Sequence, residues 1–77
     1  MPNIKIYPNP ANDVLFVNGL VTDTKIELLD MVGRKVYSGV SNNERENINI
    51  SNLSTGNYII QLTSNDGQRM TGKVVKR

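Results

Sequence analysis

Two alternating apolar runs meet at a polar corner between Ile48 and Thr63, in the stretch Ile-Asn-Ile-Ser-Asn-Leu-Ser-Thr-Gly-Asn-Tyr-Ile-Ile-Gln-Leu-Thr. A period of two belongs to strands, so Ile48 and Ile50 share a dry face while Asn47 and Asn49 share a wet one. Leu53 closes the dry side. Asn52, Ser54, Thr55 and Gly56 are turn formers that reverse the chain, and Gly56 can take a positive φ that strains any residue with a Cβ. Beyond the corner Tyr58, Ile60 and Leu62 share one face and Ile59, Gln61 and Thr63 the other. This is the most apolar strand of the chain, which predicts a central position with partners on both edges.

The remaining segments follow the same period. Ile4 to Tyr7 is a short edge strand that stops at Pro8-Asn9-Pro10, where two prolines remove ladder donors and fix φ in a rigid extended corner. After the turn material Ala11-Asn12-Asp13, Val14-Leu15-Phe16-Val17 reads as a buried strand on its length and on its flank Asn18-Gly19. Leu20 plugs one end of the core. Ile26 and Leu28 point inward and Lys25 and Glu27 outward, ahead of the turn Asp30-Met31-Val32-Gly33 and the return strand Arg34-Lys35-Val36-Tyr37. Asp at the first turn position and Gly at the fourth specify a type I turn with a bulge. Ser38 to Glu46 is the most polar stretch and is expected as a mobile surface loop. Ser64-Asn65-Asp66-Gly67 predicts another hairpin, closed by a last strand from Gln68 to Arg77 in which Lys73, Lys76 and Arg77 keep the edge soluble. No helical stripe of useful length occurs. About seven strands, with turn signals roughly every 8 to 12 residues, predict an all-β sandwich.

What the chain lacks limits its chemistry. At 77 residues it has room for one small domain, which buries about 60% of the surface of its unfolded chain. It contains no cysteine and no histidine, so no disulfide, thiolate, imidazole base or imidazole metal ligand is available. The carboxylates of Asp13, Asp23, Glu27, Asp30, Glu44, Glu46 and Asp66 fall in turns or on strand faces assigned to water, and Ser54 and Thr55 have no base to activate them. Ser64 to Gln68 supplies too few oxygens for a calcium loop. A net charge of +2, from nine basic against seven acidic residues scattered along the chain, leaves no nucleic-acid footprint. The expectation is therefore no enzyme, no cofactor, no metal, no nucleic acid and no small-molecule substrate. No stretch reaches the ~20 apolar residues that span a bilayer, and no N-terminal export signal is present. Met1 before Pro2-Asn3-Ile4 reads as an initiator joined to a fragment of a longer parent.

Tyr58 follows the corner directly, with Leu53 and Gly56 before it. Such a tyrosine buries its ring and returns its hydroxyl to upstream backbone, as in the tyrosine corner of immunoglobulin-like sandwiches. The tripeptides Asn49-Ile50-Ser51 and Asn52-Leu53-Ser54 match a glycosylation pattern too short to carry weight.

Four features stand in a fixed order: Tyr7-Pro8-Asn9-Pro10-Ala11; Ile26-x-Leu28-x-Asp30-x-x-Gly33-Arg34-x-Val36; Ile48-x-Ile50-x-x-Leu53-x-x-Gly56-x-Tyr58-x-Ile60-x-Leu62; and Lys73-Val74-Val75-Lys76. Together they resemble the type A C-terminal sorting domain of the type IX secretion system of Bacteroidetes, over essentially the whole chain. Leu29, Gln61 and Arg77 depart from the usual pattern at positions assigned to the outer face and the chain end. The resemblance implies an immunoglobulin-like sandwich that ends a larger secreted protein. It directs an N-terminal cargo from the periplasm across the outer membrane, and is then removed by a cell-surface sortase. The implied partners are the translocation machinery, an outer-membrane shuttle protein and that sortase, and the domain is expected as a monomer or weak dimer. Residues expected to be read are Lys73, Val74, Val75, Lys76 and Arg77, by carboxylates or by strand addition, with Pro8, Asn9, Pro10, Asp30, Gly33, Leu53, Gly56 and Tyr58 as structural motif positions. An adhesion or carbohydrate-binding module and a structural spacer are the rival classes. No Trp, one Phe and three Tyr leave little stacking platform for a sugar.

Overall fold

A computed structural model describes residues 3–77, so the reading of Met1 lies outside the described residues. Seven strands form the chain: β1 (Lys5–Tyr7), β2 (Val14–Asn18), β3 (Thr24–Asp30), β4 (Lys35–Ser41), β5 (Arg45–Asn49), β6 (Gly56–Thr63) and β7 (Arg69–Lys76). They make two antiparallel sheets, β1-β2-β5 and β4-β3-β6-β7. This is the all-β, immunoglobulin-like sandwich that the alternation predicts. The expected central strand is β6, paired with β3 on one edge and β7 on the other.

The inner faces supply the core. Leu15, Val17 and Ile48 come from the three-stranded sheet, Ile26, Leu28, Tyr58, Ile60, Leu62 and Val74 from the four-stranded one, and Leu20 and Ile50 close its ends. All are buried, which at roughly 25 cal/mol per Å² of apolar surface is the main term holding so small a domain together.

Both expected hairpins are present and built alike. Gly33 and Gly67 lie at φ +89 and +90, and each donates its N–H to the carbonyl three residues back, Asp30 or Ser64, at 3.0 Å. Asp30 also accepts the N–H of Val32 and of Arg34 through its side chain, so the turn is stabilised by its own first residue. A bulge at Leu28/Leu29 follows in the β3–β4 ladder.

Two expectations need correction. Ser38 to Glu46 is not one loop: β4 continues to Ser41 and β5 begins at Arg45, leaving a short link between the sheets. Polarity hid the strand because β4 is an outer strand, and Gly39 lies under the Tyr37 ring, where a Cβ would stand 2.8 Å from the hydroxyl. Val14 to Val17 is a strand but not a uniformly buried one, since Val14 and Phe16 are only half-buried on the outer face. The Ile48–Tyr58 corner carries the chain from one sheet to the other.

Gly56 opens β6 at φ +153, with nothing within 4 Å of where a Cβ would sit. Space is therefore not the constraint there; backbone conformation is. Gly56→Val is expected to cost about 1–3 kcal/mol, the range for a residue held in a sparsely populated region, and an unchanged urea midpoint would remove the conformational role.

Candidate recognition surface

Among the described residues there is no cavity and no cluster of acidic side chains able to hold a metal ion.

The C-terminal strand does not present its residues equally. Alternation along β7 turns Val74 and Lys76 toward the other sheet, and both are buried; Lys73 and Arg77 are exposed and Val75 is half-buried. Lys76 is thus not an outward charge, and its ammonium bonds the Arg77 carbonyl at 2.7 Å. The edge of β7 is also occupied. Asn9 donates through Nδ2 to the Lys73 carbonyl and accepts the Val75 N–H through Oδ1, both at 3.0 Å. Ala11 continues the line in a parallel bridge: its N–H donates to Val75 and its carbonyl accepts from Arg77, both at 2.8 Å. The carboxamide of Asn9 offers one donor and one acceptor, as a peptide group would, so the Pro8-Asn9-Pro10-Ala11 corner acts as a short extra strand against residues 73 to 77. Along residues 73 to 77 the edge of β7 is therefore already paired. Asn9→Ala removes two bonds worth about 1 kcal/mol each and is expected to cost roughly 1–2 kcal/mol, with faster amide exchange at Val75; unchanged exchange there would show the bond is dispensable.

The motif residues of the corner and hairpin have structural places. Tyr58 is 6% exposed and its hydroxyl donates to the Ser54 carbonyl at 2.6 Å, while Leu53 packs against the same core. It is the Ser54 carbonyl, on the backbone, that Tyr58 uses. Asp30 forms an ion pair with Arg34 at 2.8 Å, and backbone and side-chain bonds from Arg34 hold its carboxyl below the ordinary range.

Sequence alone did not group the cations. Cross-strand register places Lys25, Thr63 and Arg69 in one row across the outer face of the four-stranded sheet, Glu27, Gln61 and Thr71 in the next, and Lys35, Leu29, Ile59 and Lys73 in a third. Glu27 was expected in water; it is 8% exposed, paired with Lys35 at 2.7 Å and near Lys25 at 3.8 Å. The bond from Lys35 holds its carboxyl below its ordinary value against the opposing effect of burial, with Lys25 and Arg69 adding to the lowering. It stays ionised at neutral pH. Leu29, Ile59 and Gln61 are half-buried between these charges. The signal for this grouping is the odd-numbered parity of Lys25, Glu27 and Leu29 in β3 and of Ile59 and Gln61 in β6, but register is needed to bring in Lys35 and Arg69.

The outer face of the smaller sheet differs. Tyr7 and Phe16 stack with centroids 5.5 Å apart, and the Arg45 guanidinium lies 5.0 Å over the Phe16 ring.

The fold is thus an immunoglobulin-like sandwich with its C-terminal strand clamped in place and, among the described residues, no cavity. The chain belongs to the secretion system C-terminal sorting domain family of type IX secretion, whose model matches residues 5–77. Members of that family sort secreted and cell-surface proteins. Among curated proteins it is similar to ulvan lyase NLR42 of Nonlabens ulvanivorans, 28% identical over 75 residues, covering 95% of this chain and 14% of the lyase. Among solved structures it is similar to PorZ, described as an essential bacterial surface component of the type-IX secretion system of Porphyromonas gingivalis. There the TM-score is 0.86 at 18% identity, over 97% of this chain and 11% of that one. The chain therefore spans about a seventh of the relative and a ninth of the solved chain, and the latter likeness speaks for the fold.

Proposed function

We propose that this domain is the C-terminal, non-catalytic sorting signal of a larger secreted protein, and that it directs the cargo preceding it from the periplasm across the outer membrane. The observation that carries this is the family match across residues 5–77, nearly the whole sandwich. After passage a cell-surface sortase removes the domain, and a shuttle protein of the outer membrane receives it. Lys73, Val75 and Arg77 are the part of the C-terminal strand left accessible to such partners by the Asn9–Ala11 clamp.

The carbohydrate-binding reading has one observation in its favour, the outward Tyr7–Phe16 pair. Those rings lean on each other and Arg45 covers Phe16, which leaves little free ring face for a sugar.

The test fuses residues 2–77 to the C-terminus of a reporter in a type IX-competent host and assays periplasm, surface and medium. The fusion is expected outside the cell and the bare reporter inside; a folded fusion that stays in the periplasm would overturn the sorting assignment. Lys73→Gln with Arg77→Gln should leave the melting temperature nearly unchanged, since exposed charges seldom contribute more than ~1 kcal/mol. The same pair should lower export, and normal export would remove these two charges from recognition.

A further inference from the structure

We propose that the outer face of the four-stranded sheet is a docking surface for an acidic patch on a partner protein. The inference rests on the sorting assignment and names the face by which the domain is read. Register sets the backbone positions of Lys25, Lys35, Arg69 and Lys73 around a patch about 14 Å across at the Lys35–Lys73 row and about 10 Å at the Lys25–Arg69 row, the rows about 14 Å apart, from strand spacings of about 4.8 Å and rises of about 3.4 Å per residue. Half-buried Leu29 and Ile59 lie between the Lys35 and Lys73 corners, with Gln61 beside Glu27 at the centre.

Charge is what selects the occupant. The chain carries nine basic and seven acidic residues, of which four bases and one acid, Glu27, belong to this face. The rest of the molecule then has five bases against six acids, so the positive excess of the whole domain sits on one side of one sheet. Such a face steers and holds an anionic partner.

Glu27 narrows the choice further. It is 8% exposed and stays ionised, and the ammonium groups of Lys35 and Lys25 turn in to it at 2.7 and 3.8 Å, so one side of the face is a Lys–Glu–Lys cluster and the other carries the exposed Arg69 and Lys73. A uniformly anionic surface, such as a headgroup layer or a sulfated polymer, offers charge alone and no apolar side chain for the half-buried Leu29 and Ile59. A protein surface can set carboxylates against Arg69, Lys73 and the Lys25–Lys35 side and an apolar side chain against Leu29 and Ile59. Alternating charge of this kind gives specificity more than affinity.

The test uses Lys25→Glu with Arg69→Glu, a pair remote from the C-terminal residues. Lys35 is left in place because it makes the shorter pair with Glu27, at 2.7 Å against 3.8 Å for Lys25. A control carries Lys5→Glu with Lys73 and the rest of the face intact, and a charge-conserving variant carries Lys25→Arg with Arg69→Lys. Melting curves establish that each is folded, and Lys25→Gln with Arg69→Gln replaces the reversal if it is not. Three readouts follow: export of the reporter fusion, competition by the free domain for that export, and co-sedimentation with phosphatidylglycerol vesicles or retention on dextran sulfate. The expected result is export lowered about tenfold or more by the reversal, corresponding to at least ~1.4 kcal/mol of docking free energy. Competition is lost with it, the control and the conserving variant behave as wild type, and neither vesicles nor dextran sulfate retain the wild-type domain. Wild-type export of the folded reversal overturns this inference and leaves the sorting assignment standing. Wild-type retention by vesicles or dextran sulfate, abolished by the reversal, overturns the protein partner in favour of a lipid or polyanion. Failure of the wild-type fusion to leave the periplasm overturns the sorting assignment, and this inference with it.

Discussion

Tyr58→Ala is expected to lower the stability of the domain by about 3–5 kcal/mol, the range for truncating a core aromatic. Two losses add at this site. The ring is 6% exposed as part of the core, and the hydroxyl closes the corner through the Ser54 carbonyl at 2.6 Å. Native domains are stable by only about 5–15 kcal/mol, and one of this size lies toward the low end, so the variant should be substantially unfolded at 37 °C. Tyr58→Phe separates the terms: it keeps the ring and removes one hydrogen bond, worth about 1 kcal/mol. Urea titrations of the three proteins provide the check. An alanine variant with the wild-type midpoint would mean that the ring contributes nothing to the core.

The second large effect lies three residues from the exposed Arg77 but in a different environment. Val74 is 1% exposed, between β6 and the opposite sheet, and Val74→Asp puts a carboxyl there with no partner. An uncompensated buried charge costs on the order of 3–5 kcal/mol, or forces the group to take up a proton at neutral pH. The variant is expected to lose its cooperative thermal transition, whereas Val75→Thr, one position on and on the outer face, should keep it. Circular dichroism melts distinguish the two outcomes, and a folded Val74→Asp would show that β7 can turn its faces over. Export loss in that variant would report the fold and not the loss of a recognised residue.

Fold class was legible in the sequence because alternation and turn chemistry are both local. Ile26 and Leu28, Tyr58 to Leu62, and the glycines at 33 and 67 each announce their conformation within a few residues. What stayed hidden was non-local. Nothing near Ser38 to Ser41 marks a strand, because its ladder partners are the Thr24 to Glu27 backbone and its side chains are small or face water. Lys76 reads as a surface charge until its parity with Val74 is known. Glu27 reads the same way until Lys35, delivered by the hairpin and its bulge, covers it. The Asn9 contacts join residues 64 and 66 positions apart, which no window along the chain reveals.

That separation has a consequence in time. The two hairpins close over a few residues, whereas the line from Asn9 and Ala11 to Lys73, Val75 and Arg77 closes a loop of more than sixty, at an entropic cost of roughly 4 kcal/mol for an unstructured chain. It is cheap only once the sheets between have formed, so it belongs to the end of folding and not its start. In a polypeptide made from its N-terminus, residue 9 must wait for residues 73 to 77 before its carboxamide has a partner. The finished sandwich is therefore a record that synthesis has run through those last residues and released them, which a short unfolded tag of the same sequence could not provide.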